Sequence, residues 1–286
     1  MPNLTPFYQN VQAHYDLSDD FFALFLDPTR TYSCAYFERD DMTLEQAQRA
    51  KVDLALGKCD LRPGMTLLDV GCGWGSTMLR AIDHYDVNVI GLTLSRNQYE
   101  HVGELFSRRP PGGRSAEVRL QGWEGFDGTV DRIVSIGAFE HFRRERYDDF
   151  FAMCRDALPE DGRMLLHTIV GFGRKLREMG VEITRDDIQF TRFILKEIFP
   201  GGQLPLPDWV TEHAARAGFT CERIQALQPH YARTLDCWVE ALREHHDEAV
   251  QVASEQVYQR YLRYLTGSAD YFRSGHLDVM QFTLVP

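Results

Sequence analysis

One segment limits the fold of this chain more than any other: Leu67-Leu68-Asp69-Val70-Gly71-Cys72-Gly73-Trp74-Gly75, followed at once by the helical pattern STMLRAIDHY. A short run that is apolar at nearly every position reads as a strand buried on both faces, the habit of a parallel sheet. Glycines at its end permit a sharp turn and let the backbone approach a ligand closely. A helix opening there offers unpaired N–H groups and partial positive charge. The spacing is G-x-G-x-G, without the Gly-Lys-Ser/Thr of a phosphate-binding loop or the G-x-G-x-x-G of a dinucleotide fold. Alone, such glycines need only make a turn. With an acid inside the strand two residues before the first of them, they point to a site for S-adenosylmethionine (SAM).

The same texture repeats downstream. VNVIGLTLS, EVRLQGW, VDRIVSIGAF, GRMLLHTIV and FTCERIQALQ read as strands, with helices from Ser76 to about Tyr85 and from Asn97 among them. Strand–helix alternation of this kind is a doubly wound α/β sheet, here of the class I SAM-dependent methyltransferase type, with ligand expected at the C-terminal strand ends. The sheet is expected to be mostly parallel, with DVMQFTLV as a final antiparallel edge strand. Ahead of it, DLSDDFFALFLD and DMTLEQAQRAKVDLALGKC are helical, with Thr43 and Gln46 spaced as a capping box. Between Gly171 and Pro207 the rhythm lapses into two helical pieces and the turn-rich PGGQLPLP, an insertion placed to cover the ligand edge. A long helical segment follows from about Ala232 to Arg273. The expected organisation is one domain over 1–286: a helical cap (1–60), a SAM-binding core (61–170), a lid (171–207) and the rest of the core (208–286).

Charge and cysteines narrow the setting. Lys plus Arg is 31 and Asp plus Glu 42, a net charge of −11. That balance argues against nucleic acid, whose phosphates demand a basic face, and against anionic lipid surfaces. No run approaches the roughly 18 to 20 apolar residues of a membrane span, so no transmembrane segment is expected. The N-terminus also lacks a signal peptide's basic start and apolar run. Six cysteines without a C-x-x-C pair suggest reduced thiols, no metal site and a cytoplasmic protein.

After the second strand a fold of this type often carries an acid for the ribose hydroxyls. Here Gly91-Leu92-Thr93-Leu94-Ser95-Arg96-Asn97-Gln98 has none, and Thr93 and Gln98 are the polar substitutes, while Ser95 suits a helix N-cap. Gly122-Trp123-Glu124 offers a flat ring and an acceptor suited to adenine. Trp123 as plain core is the competing reading.

At this point LLDVGCGWGS, GLTLSRNQ, VDRIVSIGAFEHF, MLLHTI and EIFPGGQLP together resemble the cyclopropane-fatty-acid synthases, specifically the mycolic acid methyltransferases and cyclopropane synthases. HYDLSDDFFALFLDPTRTYSCAYF and HYARTLDCW extend the likeness over nearly the whole chain. The resemblance implies transfer of the SAM methyl to a cis double bond of a long acyl chain on acyl carrier protein, leaving a carbocation. Loss of a proton from the new methyl closes a cyclopropane; water capture or a hydride shift gives oxygenated or branched products. It also implies site residues. Tyr32 and Ser33 would contact SAM from the N-terminal segment. Asp69, Gly71, Cys72, Gly73, Trp74 and Gly75 would hold its methionine part, and Thr93, Leu94, Gln98, Trp123 and Glu124 its ribose and adenine. A bicarbonate or carbonate ion acting as base would be held by Cys34, Glu140, His167 and Tyr231 and the backbone at Ile136.

A carbocation alkylates any strong nucleophile that touches it, so a small caged ion is a safer proton acceptor than a tethered side chain. Placing such a base is worth roughly 10²–10⁴-fold, although proton loss from a cation is intrinsically easy, and the ion is expected to steer product more than rate. The family's pocket also suggests Tyr32, Phe199, Tyr231, Tyr264 and Phe272 as rings facing the cation. Taken singly, each of these residues has a plainer role. Cys34 is a small buried hydrophobe, His167 a core histidine, and Glu140-His141 a helix cap or surface pair.

One departure stands out: relatives carry a cysteine after Tyr-Leu-Thr-Gly, and this chain reads Tyr264-Leu265-Thr266-Gly267-Ser268. An alkene needs no thiolate, so activity is expected to survive. Docking of an acidic carrier protein calls for local basic clusters, and Arg108-Arg109, Arg143-Arg144 with Arg146, and Arg174-Lys175 with Arg177 are the candidates, each equally an ordinary solvated face. Two rivals remain at this stage: a SAM-dependent N- or O-methyltransferase of a small metabolite, and a non-catalytic SAM- or lipid-binding protein. The apolar FFALFLD and FTRFILKEIF favour a lipid channel.

Overall fold

The computed structural model describes residues 19–110, 112–173 and 175–286. Every run read as a strand becomes one: β1 (Thr66–Val70), β2 (Asn88–Thr93), β3 (Ala116–Leu120), β4 (Arg132–Ile136), β5 (Arg163–Gly171), β6 (Thr220–Ala226) and β7 (Leu277–Val285). They form one sheet in the order β3-β2-β1-β4-β5-β7-β6. The first five pair in parallel, and β7 runs antiparallel to both of its neighbours. The last strand is therefore antiparallel as expected, but it is not at the edge. β6 takes that place, because most of its residues are exposed, whereas Val279, Phe282 and Leu284 of β7 are fully buried.

Adjacent residues explain why both faces are covered. Leu67 and Leu68, and likewise Leu165 and Leu166, belong to different core clusters, as alternation along a strand requires. The helices before and within the first half are α1 (Asp19–Ala23), α2 (Leu44–Gly57), α3 (Ser76–Tyr85), α4 (Arg96–Ser107) and α5 (Tyr147–Ala157). Then come α6 (Lys175–Glu178), α7 (Arg185–Phe193, ending in a π-helical turn over Ile194–Ile198), α8 (Pro207–Arg216), α9 (Gln228–Glu244), α10 (His246–Val252) and α11 (Glu255–Arg273). Val52, Met78 and Val102 from α2, α3 and α4 cover one face; Phe150 and Phe151 of α5 and Val210 of α8 cover the other.

The capping box at Thr43 and Gln46 is formed at the start of α2. The long helical segment expected over 232–273 is divided into three helices: α11 restarts after Ser254, whose hydroxyl accepts the Val257 N–H at 3.2 Å. Those helices close a third core cluster with the N-terminal segment, where Phe21 packs edge-on against Tyr261 at 5.0 Å and Phe25 against Trp238 at 6.2 Å. Residues 16–18 of the expected first helix lie outside the described residues. No helix among the described residues is long and apolar enough to cross a membrane.

Candidate active site

The strand order reverses between β1 and β4, and a doubly wound sheet leaves its crevice at that point. β1 delivers the chain there into the glycine turn, where Gly71, Gly73 and Gly75 have φ of +83°, +55° and +86°. At Gly71 a Cβ would lie 2.5 Å from that of Ala138, so contact as well as backbone strain excludes a side chain. Gly75 sits at the N-cap of α3 and supplies no capping side chain, which leaves the helix's first N–H groups for a ligand.

A crevice of about 140 Å³ opens above this turn. Tyr32, Ser33, Asp69, Gly71, Cys72, Gly73, Trp74, Thr93, Leu94, Gln98, Trp123 and Glu124 all line it, and so does Ile136. Gly75 does not; it faces Val102 of α4. Burial pushes the Asp69 carboxyl up to about 7 against the opposing pull of Lys51, and its Oδ2 has no partner among the described residues. Glu124 is also raised by burial; Oε1 accepts from Arg146 at 2.9 Å while Oε2 has no partner among the described residues. Thr93 donates to Gln98 Oε1 at 2.7 Å, and Ser95 caps α4 as expected. Trp123 lines the crevice and at the same time packs edge-on against Phe150 at 5.4 Å.

A larger cavity of about 420 Å³ shares Tyr32, Ser33, Gly137 and His141 with the crevice. Cys34, Glu140, His167 and Tyr231, from four separate stretches of chain, line this one cavity. Ile136 lines only the crevice, one residue from the shared Gly137. Tyr32, Phe199, Tyr231, Tyr264 and Phe272 are all on the cavity wall, as are Ser268 and, from the insertion, Phe190, Thr191, Ile194 and Leu195.

Each polar member has an identifiable anchor. The loop carrying Cys34 is tied to α9 by the Ala35 N–H donating to Thr234 Oγ1 at 3.0 Å. The Cys34 thiol donates to the Ala35 carbonyl at 3.1 Å, and burial raises its pKa far above the ordinary thiol range. Glu140 neither caps a helix nor pairs on the surface. From the turn after β4, its Oε1 accepts the Ile169 N–H of β5 at 2.6 Å, its Oε2 has no partner among the described residues, and burial lifts it to about 7. His167 in β5 is held well below the usual histidine pKa by burial and by the charges of Lys51 and Lys58. Tyr231, in the first turn of α9, stacks obliquely on Phe272 at 4.6 Å, and Tyr32 donates to the Tyr264 hydroxyl at 3.3 Å.

With this geometry established, the family model described as mycolic acid cyclopropane synthetase matches residues 3–282. The chain belongs to the mycolic acid cyclopropane synthetase family. Cyclopropane mycolic acid synthase MmaA2 of Mycobacterium tuberculosis is 61% identical over 283 residues, covering 99% of this chain and 98% of that protein. Cyclopropane mycolic acid synthase 1 of the same organism is 61% identical over 285 residues, covering 99% of each. The structure of MmaA2 superposes with a TM-score of 0.98 at 60% identity, covering 99% of this chain and all of that one. That of CmaA1 complexed with SAH and CTAB gives 0.96 at 60% identity, covering 99% of each. Coclaurine N-methyltransferase, at 21% identity and TM-score 0.77, shows the shared fold alone. This synthetase-family chain is thus a SAM-dependent methyltransferase with the α/β class I fold.

Several residues of this family member escaped the sequence reading. Lys51 of α2 is buried, donates to Ser33 Oγ at 2.8 Å and is lowered by burial to about 8. Gln48, one turn earlier, donates to the carbonyls of Thr31 and Ser33 at 3.1 and 2.8 Å. Together they pin the Tyr32–Ser33 segment that borders both spaces. A lysine and a glutamine on the otherwise apolar face of α2 were the available signal. His141, shared by both spaces, is pushed down to about 4 by burial. The basic clusters are largely drawn into the protein's own contacts: Arg108 pairs with Glu104, Arg109 with Asp83, Arg146 with Glu124 and Lys175 with Asp208, while Arg144 lies over Trp209 at 4.0 Å. Arg174 lies outside the described residues.

Proposed function

We propose that this enzyme methylates a cis double bond of a long, meromycolic-type acyl chain presented on acyl carrier protein, giving a cyclopropane or a methyl-branched product. The observation that carries the reading is the junction of a crevice bearing Asp69, Glu124 and the glycine turn with a larger, mostly apolar cavity through Tyr32, Ser33, Gly137 and His141.

Bound in the crevice, SAM would supply an electrophilic methyl group. Asp69 and Glu124, each with an unpartnered carboxylate oxygen, and the glycine turn fit its polar ends. In the cavity, Tyr32, Phe199, Tyr231, Tyr264 and Phe272 exclude water and face developing positive charge with ring faces. The acidic and basic groups beside them are kept tame. Burial holds Cys34 as a thiol and His167 neutral, and below about pH 7 it holds Glu140 as a carboxylic acid. A wall of this kind does not capture a carbocation, and it also offers no committed base. Glu140 Oε2 and His167 Nε2, buried and without partners among the described residues, fit a small oxyanion such as bicarbonate, which would supply the missing proton acceptor. Tyr231 adds a hydroxyl donor, and Cys34, whose S–H goes to the Ala35 carbonyl, borders the same space, with Ile136 on the crevice side.

Expression in a host lacking such an enzyme, followed by mass spectrometry of its lipids, tests the reading. A gain of one CH₂ without oxygen is expected for ring closure, and methyl plus hydroxyl for water capture. Unchanged lipids with methylated small amines would overturn it.

A further inference from the structure

Three residues on neighbouring strands form a row leading to the cavity. His167 of β5 stands opposite Gln281 of β7, which stands opposite Gln225 of β6. Lys58, just past the end of α2, reaches the far end of the row. Its Nζ donates to Gln225 Oε1 at 2.7 Å and to Gln281 Oε1 at 2.5 Å. At the near end, Gln281 Nε2 lies 3.3 Å from His167 Nδ1.

The hydrogen-bond inventory leaves one arrangement of protons. An ammonium group has donors only, so the Gln281 amide must turn its oxygen toward Lys58. Its NH₂, which can only donate, then faces the histidine. Nδ1 must accept, so the ring proton belongs on Nε2. Gln281 is wholly buried and His167 nearly so, and no water-exposed alternative competes for these groups. His167 Nε2 has no partner among the described residues, and the side chain lines the cavity.

We propose that Lys58 and Gln281 are positioning residues that lock His167 in its Nε2–H tautomer, so that it presents a hydrogen-bond donor to the cavity and not a basic lone pair. This deepens the oxyanion reading of the cavity and rests on it for its catalytic meaning: His167 orients the proton acceptor and is not itself the base. The nearby positive charges of Lys58 and Lys51 work in the same direction, because they oppose a second proton on the ring.

Side-chain ¹⁵N spectra of full-length protein labelled at histidine report the tautomer directly, with His167 assigned by the signals lost in His167→Asn. Wild type is expected to show a protonated Nε2 and a bare Nδ1 at about pH 7. Gln281→Glu places a carboxylate opposite Nδ1, and the proton is expected to move there or the ring to become cationic. Lys58→Met frees the Gln281 amide to turn over, giving a mixture. Both variants should lose roughly 10–100-fold in kcat, the scale of outer partners of ligating histidines, with KM for SAM unchanged. A wild-type spectrum with the proton on Nδ1 overturns the proposal without any variant, as does an unaltered tautomer in Gln281→Glu. Bicarbonate added to wild type should shift the Nε2–H signal. If it does not while the tautomer is as stated, the oxyanion reading falls and the lock stands.

Discussion

The crevice and the cavity meet at four residues yet are built on opposite plans. The crevice is made of strand ends and the turns that follow them, so a few contiguous stretches (69–77, 92–98, 121–124 and 136–142) supply most of its wall. Its shape comes from backbone conformation, above all the left-handed glycines. The cavity is made of side chains gathered from the loop at Cys34, the turn at Glu140, the middle of β5, the insertion, α9 and α11. A ligand that every class I methyltransferase must hold can be met by a local piece of backbone geometry. Under the proposed function the cavity accepts one long apolar chain and controls one proton, and such a space is met by packing, which draws on the whole molecule.

Substitution in the crevice should do the greatest damage. Gly71→Ala combines a left-handed alanine with a contact 2.5 Å from Ala138. It is expected to cost about 4 kcal/mol of stability from strain and overpacking together. SAM affinity should fall with it, as denaturant melts and calorimetric titration would reveal; a variant of native stability and affinity would show that the turn is not set by steric limits.

Glu140→Gln probes the cavity with less disruption, since glutamine keeps an acceptor for the Ile169 N–H. Folded Glu140 is raised from 4.5 to about 7 and so holds its proton more tightly than the unfolded chain does. Its contribution to stability is therefore complete below about pH 4.5 and is lost as pH rises through about 7. The loss is on the order of 3 kcal/mol at about 1.4 kcal/mol per unit. Stability curves against pH should be flatter in the variant, with Asp69, raised the same way by burial, keeping the remaining slope. SAM binding should be unaffected, and the product ratio should move away from ring closure. A variant with the wild-type pH profile would remove Glu140 from the buried acids.

Ser268→Cys should change least. Ser268 lines the cavity, but the proposed chemistry has no step for a thiolate there. Wild type should turn over, and the variant should match it within about twofold; activity confined to the variant would reverse that conclusion.

How far each region could be read in advance follows from the same contrast. The glycine turn, the capping box at Thr43 and Gln46, and the N-cap at Ser95 are local, and the structure has them where the spacing implied. The residues named for the cavity came from likeness to a family; from the chain alone, Cys34 and His167 are an ordinary thiol and an ordinary core histidine. Gln48, Lys51, Lys58 and Gln281 carried no motif at all. Their partners are 15 to 223 positions away, a distance at which local pattern says nothing.

Alternation of strand and helix and the acid-then-glycine turn were enough to establish the strands, the helices between them and the glycine turn at the end of β1, because steric limits on backbone angles act between neighbours along the chain. The place of β7 inside the sheet, the convergence of Cys34, Glu140, His167 and Tyr231, and the orientation of the His167 ring came from folding as a whole. The first depends on which apolar face is covered and the others on which distant side chains meet, and both are settled only when distant segments pack together.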